Sequence, residues 1–154
     1  MTHEQYMDIA LALAQDAAAE GEVPVGAIVV KDGDIIGHGR NRRELAGNAL
    51  AHAEIEAIDM ACKTLGGWRL AGCDLYVTLE PCPMCAGAII NARIDTVYYG
   101  TPDPKAGSCG SLVNLFEAPY NHHPALVGGI QQAACANILK TFFKNLRNQK
   151  NHPQ

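Results

Sequence analysis

Apolar side chains recur at helical spacing in three long segments of the chain. The first covers residues 3 to about 20 and is preceded by Thr2, which has capping-box spacing to Gln5. The second covers residues 51–65 and ends at a pair of glycines, and the third covers residues 132–148. The pattern predicts an amphipathic helix in each segment.

Shorter apolar runs between these segments predict the strands of a sheet. Residues 25–30 and 34–40 flank Asp32-Gly33, a pair that favours a tight antiparallel turn, so the two runs predict a hairpin. Three later runs predict strands at residues 75–79, 96–100 and 126–130.

The order of the predicted elements indicates the fold class. Pro83 suits the first position of a helix and predicts a further helix that extends to about Arg93. Strands that alternate with helices require crossovers and favour parallel pairing. We therefore expect an α/β three-layer sandwich, in which helices flank a mixed five-stranded sheet with an opening antiparallel hairpin and then parallel strands.

Two segments show neither the helical spacing of apolar residues nor the alternation typical of a strand. Residues 41–50 are predicted to form a loop that leads into His52. Residues 101–125 are predicted to form a longer loop, interrupted by one short helix at residues 111–116. Long irregular segments inside a domain usually have a functional role.

Composition limits the class of protein. The 154 residues, of which 48% are hydrophobic, suffice for one domain that spans residues 1–154. The longest apolar runs are only strand length, so we expect no membrane anchor. The first residues lack the features of a secretory signal, which predicts a cytoplasmic protein whose six cysteines stay reduced. The net charge of −4 argues against nucleic-acid binding over the whole surface, so any such binding is expected to be local.

Two short motifs carry the candidate chemistry, His52-Ala53-Glu54 and Pro81-Cys82-Pro83-Met84-Cys85. Their types and order match the H-x-E and P-C-x-x-C signature of zinc deaminases. Cys82 and Cys85 are three residues apart at a predicted helix start, so both sulfurs fall on one face and the positive end of the helix favours thiolates. Together with His52 they predict a site for one zinc ion per subunit. Three protein ligands leave a position for water, and Glu54 is then the predicted acid/base group.

A structural zinc site is the alternative for this motif. A lone Cys-x-x-Cys is structural or redox-active about as often as it is catalytic. A closed structural site needs a fourth ligand, for which Cys109, His122 and His123 are the candidates in the long loop. The other cysteines (Cys62, Cys73 and Cys135) are interpreted as core residues, and the other histidines (His3, His38 and His152) as residues at the surface or behind the site.

Segments beyond the zinc motifs carry a broader resemblance. They are residues 22–27, 41–42, 51–55, 75–89, 107–112 and 142–147. In these segments the chain resembles bacterial tRNA-specific adenosine deaminases. The resemblance implies a homodimer that binds the anticodon stem-loop of an arginine tRNA and converts its wobble adenosine to inosine, with release of ammonia.

The resemblance also implies roles for individual residues. His52, Cys82 and Cys85 take the zinc-ligand positions, and Glu54 takes the position of the proton carrier. The remaining matches concern the substrate: Asn41 for a hydrogen bond to the base, Val23 and Pro24 for the wall of the base pocket, Asp103 and Lys105 for the anticodon-contacting loop, and Asn121 and His122 for a pair near the flipped nucleotide. His123-Pro124 departs from the family pattern, which often has an arginine there.

The predicted closing helix separates apolar from basic side chains. Its basic face carries Lys140, Lys144, Arg147 and Lys150, and no acidic residue follows Ile138. A basic stripe on an acidic protein concentrates phosphate affinity, so Lys144 and Arg147 are predicted to contact RNA. A merely solvated helix face explains four charges equally well.

Two other functions remain open at the level of sequence. A deaminase of the same fold that acts on a free base or nucleoside, such as guanine, cytosine or cytidine, would use the same zinc chemistry. A non-catalytic, zinc-stabilised interaction module would have no use for Glu54 as a proton carrier.

Overall fold

The computed structural model describes residues 1–151, which form five α-helices and five strands. In chain order they are α1 (His3–Ala19), β1 (Gly26–Lys31), β2 (Asp34–Arg40), α2 (Arg43–Ala46), α3 (Ala53–Leu65), β3 (Cys73–Leu79), α4 (Pro83–Ala92), β4 (Thr96–Thr101), a turn of 3-10 helix (Leu115–Glu117), β5 (Ala125–Val127) and α5 (Gln132–Asn151). The predicted capping box at Thr2 and Gln5 is present and begins α1.

The strands form one mixed sheet in the order β2-β1-β3-β4-β5. The opening hairpin is antiparallel, and Asp32 and Gly33 both have positive φ angles, of 50° and 81°, as a tight hairpin turn requires. Strand β1 also pairs antiparallel with β3, whereas β3, β4 and β5 pair in parallel. The predicted hairpin and the mixed sheet are confirmed.

Helices cover both faces of the sheet and produce three layers. Along β1, Ala27 and Val29 pack into the core under α3 and α4, while Ile28 and Val30 pack into the core under α1 and α5. This alternation follows from the two-residue period of a strand that is buried on both faces. The predicted three-layer α/β sandwich is therefore confirmed.

Helix α3 lies unusually close to the sheet because the contact is made of small residues. Its buried stripe consists of Ala53, Ala57 and Ala61, which are completely shielded from solvent. Opposite them, β2 carries Gly37 and Gly39, where a Cβ atom would collide with the backbone carbonyls of Ala57 and Ala53. Since Ala53 lies between His52 and Glu54, this contact fixes the start of α3.

Two loop predictions were wrong. Residues 41–50 contain the short helix α2, because the buried Glu22 carboxylate accepts hydrogen bonds from two of the amide groups that a helix start leaves free, those of Glu44 (3.1 Å) and Leu45 (3.0 Å). Residues 111–114 are not helical, and only the 3-10 turn at Leu115–Glu117 is present. The chain instead turns back on itself there, because Cys109 forms an antiparallel bridge with Asn114 and the Leu115 amide donates to the Ser108 carbonyl (2.9 Å) rather than to the Ser111 carbonyl that a helix would require.

The remaining cysteines and histidines follow the predictions where the structure describes them. Cys73 and Cys135 are buried and Cys62 is half-buried. His3 and His38 are exposed, although the His3 ring stacks on Tyr98 with centroids 4.3 Å apart. His152 lies outside the described residues. Within residues 1–151, no helix has both the length and the apolar composition needed to cross a lipid bilayer.

The close contact of α3 with β2 generates a stability prediction. We expect Gly39→Ala to lower the free energy of unfolding by about 1–3 kcal/mol, because the new methyl group has no space against the Ala53 carbonyl. The matched control is Gly67→Ala, where a Cβ meets nothing within 4 Å and which should change stability by less than about 0.5 kcal/mol. Urea denaturation of both variants measures the difference, and equal stabilities would contradict the packing argument.

Candidate metal centre and substrate cavity

The N-termini of two helices meet at the candidate metal centre. His52 is the N-cap residue of α3, and Cys82 is the N-cap residue of α4, with Cys85 three positions further on. The His52 Nδ1 atom lies 3.7 Å from the Cys82 Sγ atom and 3.6 Å from the Cys85 Sγ atom. The structure thus brings together the three residues predicted as ligands.

The sheet topology explains this meeting. Strands β2 and β3 are both antiparallel to β1 and therefore run in the same direction. Helix α3, which comes after β2 and the short helix α2, and helix α4, which follows β3, consequently start at the same edge of the sheet. This is the edge at which open α/β sheets place their ligand sites.

The two candidate thiol ligands at this edge, Cys82 and Cys85, have pKa values that are shifted in opposite directions. A hydrogen bond from Cys85, supported by His52, lowers the pKa of Cys82 to about 4 despite its burial. The pKa of Cys85 is raised in turn, because its proton is held by the Cys82 sulfur and the thiol is buried. The hydrogen bond with Cys82 also raises the pKa of His52. A divalent metal ion at this position would displace these protons.

The donor set fits a zinc ion with an open coordination position. Two sulfurs and one imidazole nitrogen lie within 4.8 Å of one another, and in the part of the chain that the structure describes no fourth side chain joins this group. The candidates for a fourth ligand are engaged elsewhere. The His122 Nε2–H group donates to the Ile94 carbonyl (2.6 Å), His123 Nδ1–H donates to the Phe116 carbonyl (2.8 Å), and Cys109 lies outside the group.

Glu54 lies beside the metal centre without belonging to its ligand group. It occupies the first turn of α3 and is only 4% exposed. Burial raises the pKa of Glu54 to about 7. A carboxyl group that titrates near neutral pH can both accept and return a proton, which is what the sequence predicts for this residue.

A cavity of about 190 Å³ opens directly in front of these groups. His52, Glu54 and Cys82 line it. Its other lining residues include the apolar residues Val23, Val25 and Leu79 and the polar residues Asn41, Arg43 and Asp103. Pockets for drug-sized ligands measure about 300–1,000 Å³, so this one fits a single flat ring system.

Asn41 is held rigidly in the cavity wall. Its Nδ2 amide donates to the Val23 carbonyl (3.1 Å), and its Oδ1 atom accepts a hydrogen bond from the Arg43 amide (3.2 Å). Pro24, which the resemblance assigns to the same wall, is buried and does not line the cavity.

A larger groove of about 670 Å³ continues from the cavity and shares Val23, Leu79 and Asp103 with it. Lys105, Lys140 and Arg147 supply positive charge along this groove, and Leu139 and Phe143 supply apolar surface. Lys144 is exposed but does not line the groove. Asn121 is exposed and His122 is bound to Ile94, and neither lines the cavity or the groove.

The sequence analysis missed two buried glutamates that hold the walls of the cavity. Glu22 and Glu80 are each only 2% exposed. Glu22 holds α2 as described above, and Glu80 accepts hydrogen bonds from the loop that carries Asp103. These bonds outweigh burial and lower the pKa of Glu80. For Glu80, the signal in the sequence was a carboxylate directly after an apolar strand, since buried charges require partners.

Comparisons with known proteins agree with this geometry. The sequence profile of MafB19-like deaminases matches residues 1–147. A tRNA-specific adenosine deaminase of Bacillus subtilis is 48% identical over 96% of this chain and 92% of its own length. The chain belongs to the tRNA-specific adenosine deaminase family.

Solved structures of other deaminases have the same fold as this member of the tRNA-specific adenosine deaminase family. A chain from a study of A-to-I editing by tRNA:A34 deaminases superposes with a TM-score of 0.85 at 47% identity, covering 88% of this chain and 99% of that one. Guanine deaminase from Bacillus subtilis gives a TM-score of 0.65 at 34% identity, covering 96% and 95%. Both similarities support the predicted fold, and the first is greater in sequence and in structure.

The low pKa of Cys82 generates a labelling prediction. We expect iodoacetamide at pH 6 to modify Cys82 first in metal-free protein, because a pKa of about 4 leaves Cys82 as thiolate at that pH. An ordinary thiol is only about 0.3% ionised there. Cys62 is the internal control, since it is also half-buried but burial raises its pKa. Peptide mass spectrometry measures both sites, added zinc should protect Cys82, and equal labelling of the two would contradict the assignment.

Proposed function

We propose that the protein is a zinc-dependent tRNA adenosine deaminase that converts the wobble adenosine of an arginine tRNA anticodon to inosine. The observation that carries this proposal is a group of three candidate metal ligands beside a buried carboxylate outside that group, all at a base-sized cavity. A closed structural zinc site would not need Glu54 or the cavity. We further propose that the enzyme acts in the cytoplasm as a homodimer, as its resemblance to the family implies.

The residues of the chain account for the steps of hydrolysis. His52, Cys82 and Cys85 would hold the zinc ion, which supplies the Lewis acidity that lowers the pKa of a water molecule towards neutrality. Glu54 accepts one proton of that water and delivers it to the ring nitrogen, and it then carries the second proton from the new C6 hydroxyl group to the departing amine. A C–O bond forms at C6 of the purine, the C6–N6 bond breaks, and ammonia leaves.

The cavity residues orient the base for this reaction. Val23, Val25 and Leu79 offer apolar surface to the ring faces, and Asn41 offers a fixed amide for a hydrogen bond to the base edge. An amino group inside a base stack is not accessible to a buried metal centre, so the target nucleotide must leave the stack to enter the cavity.

A polynucleotide substrate explains the groove beside the cavity. Lys105, Lys140 and Arg147 concentrate positive charge there, although the protein carries a net charge of −4. A free base would fill the cavity and leave the groove without a role. The groove therefore favours RNA over a free base as the substrate.

A substrate panel tests the proposal. Zinc-loaded protein is incubated with an arginine tRNA anticodon stem-loop that carries adenosine at the wobble position, with the same stem-loop carrying guanosine there, and with free adenosine, guanine and cytosine. We expect ammonia release and inosine only with the first RNA. Faster turnover of free guanine or cytosine would support the rival deaminase function, and no turnover of any substrate would support an interaction module.

The proposed proton carrier generates the second functional prediction. We expect Glu54→Gln to fold and to bind one zinc ion per chain, but to lower kcat by about 10²–10⁴-fold, because the water and the leaving amine lose their proton carrier. Asp59→Asn, on the exposed part of the same helix, is the matched control and should retain activity. Zinc analysis and single-turnover kinetics measure both variants. A Glu54→Gln enzyme with normal turnover would refute the assignment.

The proposed RNA-binding groove generates a salt-dependence prediction. We expect Arg147→Ala to weaken stem-loop binding and to reduce the slope of log K against log salt by about 1, because one phosphate contact is lost. Lys144→Ala tests whether the contact extends beyond the groove, and the double variant should bind more weakly than either. Lys63→Ala, on α3, is the control. An unchanged slope in the double variant would discard this contact.

A further inference from the structure

The carboxylate of Glu80 is completely occupied by donors from a single loop. Its Oε1 atom accepts hydrogen bonds from the Asp103 amide (3.1 Å) and the Ser111 hydroxyl group, and its Oε2 atom accepts from the amides of Cys109 (3.0 Å) and Ser111 (3.0 Å). An ionised carboxylate has about four acceptor positions, so Glu80 has none left for a substrate or a water molecule. Although it borders the cavity, it is not a second acid/base group.

The loop is shaped around this carboxylate. Gly107 lies against it, and a Cβ atom there would collide with the carboxyl group of Glu80. The Asp103 side chain stabilises the turn by accepting from the amides of Lys105 (3.0 Å) and Ala106 (3.3 Å). The Ser108 amide donates to the Pro81 carbonyl (2.9 Å), which adds a second tie between the loop and the start of α4.

The position of Glu80 connects the metal centre to the RNA-binding groove. In sequence it lies two residues before the candidate ligand Cys82, and its backbone amide donates to the Thr101 carbonyl (2.9 Å) at the end of β4. On the other side, Asp103 borders both the cavity and the groove, and Lys105 borders the groove. Any shift of the loop would therefore change the groove relative to the cavity.

We propose that Glu80 is a positioning residue that holds residues 103–111 at a fixed position relative to the metal centre. The loop is thereby placed to bind the RNA around the target nucleotide. The proposal rests on the function proposed above. A glutamine at this position has one acceptor oxygen, and its amide group would face N–H donors. In either orientation two of the four donors would face this amide group. The Ser111 hydroxyl group can turn and accept from it, but at least one buried N–H group would lose its acceptor, which requires rearrangement.

Three variants test the proposal. Glu80→Gln removes the charge and two acceptor positions, Ser111→Ala removes one hydroxyl donor and keeps the carboxylate, and Glu117→Gln neutralises an exposed acid next to the same loop as the matched control. For each, we would measure zinc per chain, kcat and KM for the anticodon stem-loop, and amide hydrogen exchange of residues 103–111.

We expect KM to rise about tenfold or more in Glu80→Gln and by a smaller factor in Ser111→Ala, with faster exchange in the loop. Zinc content and kcat should stay near those of the parent protein in Ser111→Ala, and Glu117→Gln should match the parent throughout. Should Glu80→Gln fail to fold, Ser111→Ala alone decides.

Two outcomes would overturn the proposal. One is an unchanged KM together with unchanged exchange in Ser111→Ala. The other is loss of zinc in Glu80→Gln, or a fall in its kcat as large as the rise in its KM. Either result would assign Glu80 to the metal centre itself. A parent protein that deaminates no RNA would refute the proposed function instead, and the exchange data would still test whether Glu80 holds the loop.

Discussion

The meeting of two helix N-termini at one sheet edge is the constraint on which the site depends. Each N-terminus presents unpaired amide groups and positive potential, so anions are stabilised there. His52, Glu54 and Cys82 all occupy the first turn or the cap of α3 or α4. Two thiolates and a neutral imidazole would leave a bound zinc ion formally neutral. The positive potential of the two helix N-termini would then not repel the zinc complex. The low pKa of Cys82 indicates that the site accommodates thiolate before any metal binds.

Function is divided between rigid helices and loops that buried carboxylates hold in place. The candidate metal ligands and Glu54 lie at helix starts, where backbone geometry fixes them. The cavity walls come from irregular segments, which are ordinarily more mobile. Glu22 holds one wall and Glu80 the other, each through backbone amide groups. Because buried carboxylates hold these loops, the cavity walls keep fixed positions, and orienting a base requires such fixed positions.

The sequence predicted what local spacing determines. Cys82 and Cys85 lie on one face of a helix start whatever surrounds them, and Asp32-Gly33 specifies its own turn. It did not predict α2, because the Glu22 carboxylate that stabilises this helix is 22 residues from its first partner, Glu44. Residues 111–114 were assigned to a helix because the spacing of apolar residues does not show that the chain turns back there and pairs Cys109 with Asn114.

Family resemblance and geometry contributed different parts of the site. Asn41, Val23 and Asp103 border the cavity and Lys105 borders the groove, as the resemblance suggested for substrate contacts. Arg147, which was predicted from the basic face of the closing helix, also borders the groove. Pro24, Asn121, His122 and Lys144 do not border either one. A motif match assigns a residue to a role by its neighbours in sequence, whereas lining a cavity depends on where the chain passes in three dimensions. Residues 121–122 follow an irregular stretch, where sequence position predicts spatial position least well.

Helix α5 packs closely against β4, and this contact helps to set the position of α5 relative to the cavity. Gly100 of β4 has no space for a Cβ atom because Cys135 of α5 lies against it. This anchors the first half of α5 on the sheet, and the second half extends past it with Phe143 and Arg147 at the groove. The next residue, Thr101, accepts the backbone hydrogen bond of Glu80. The same end of β4 therefore contacts both α5 and the segment that leads from Glu80 to Cys82, so the fold holds the groove and the candidate metal centre in a fixed relation.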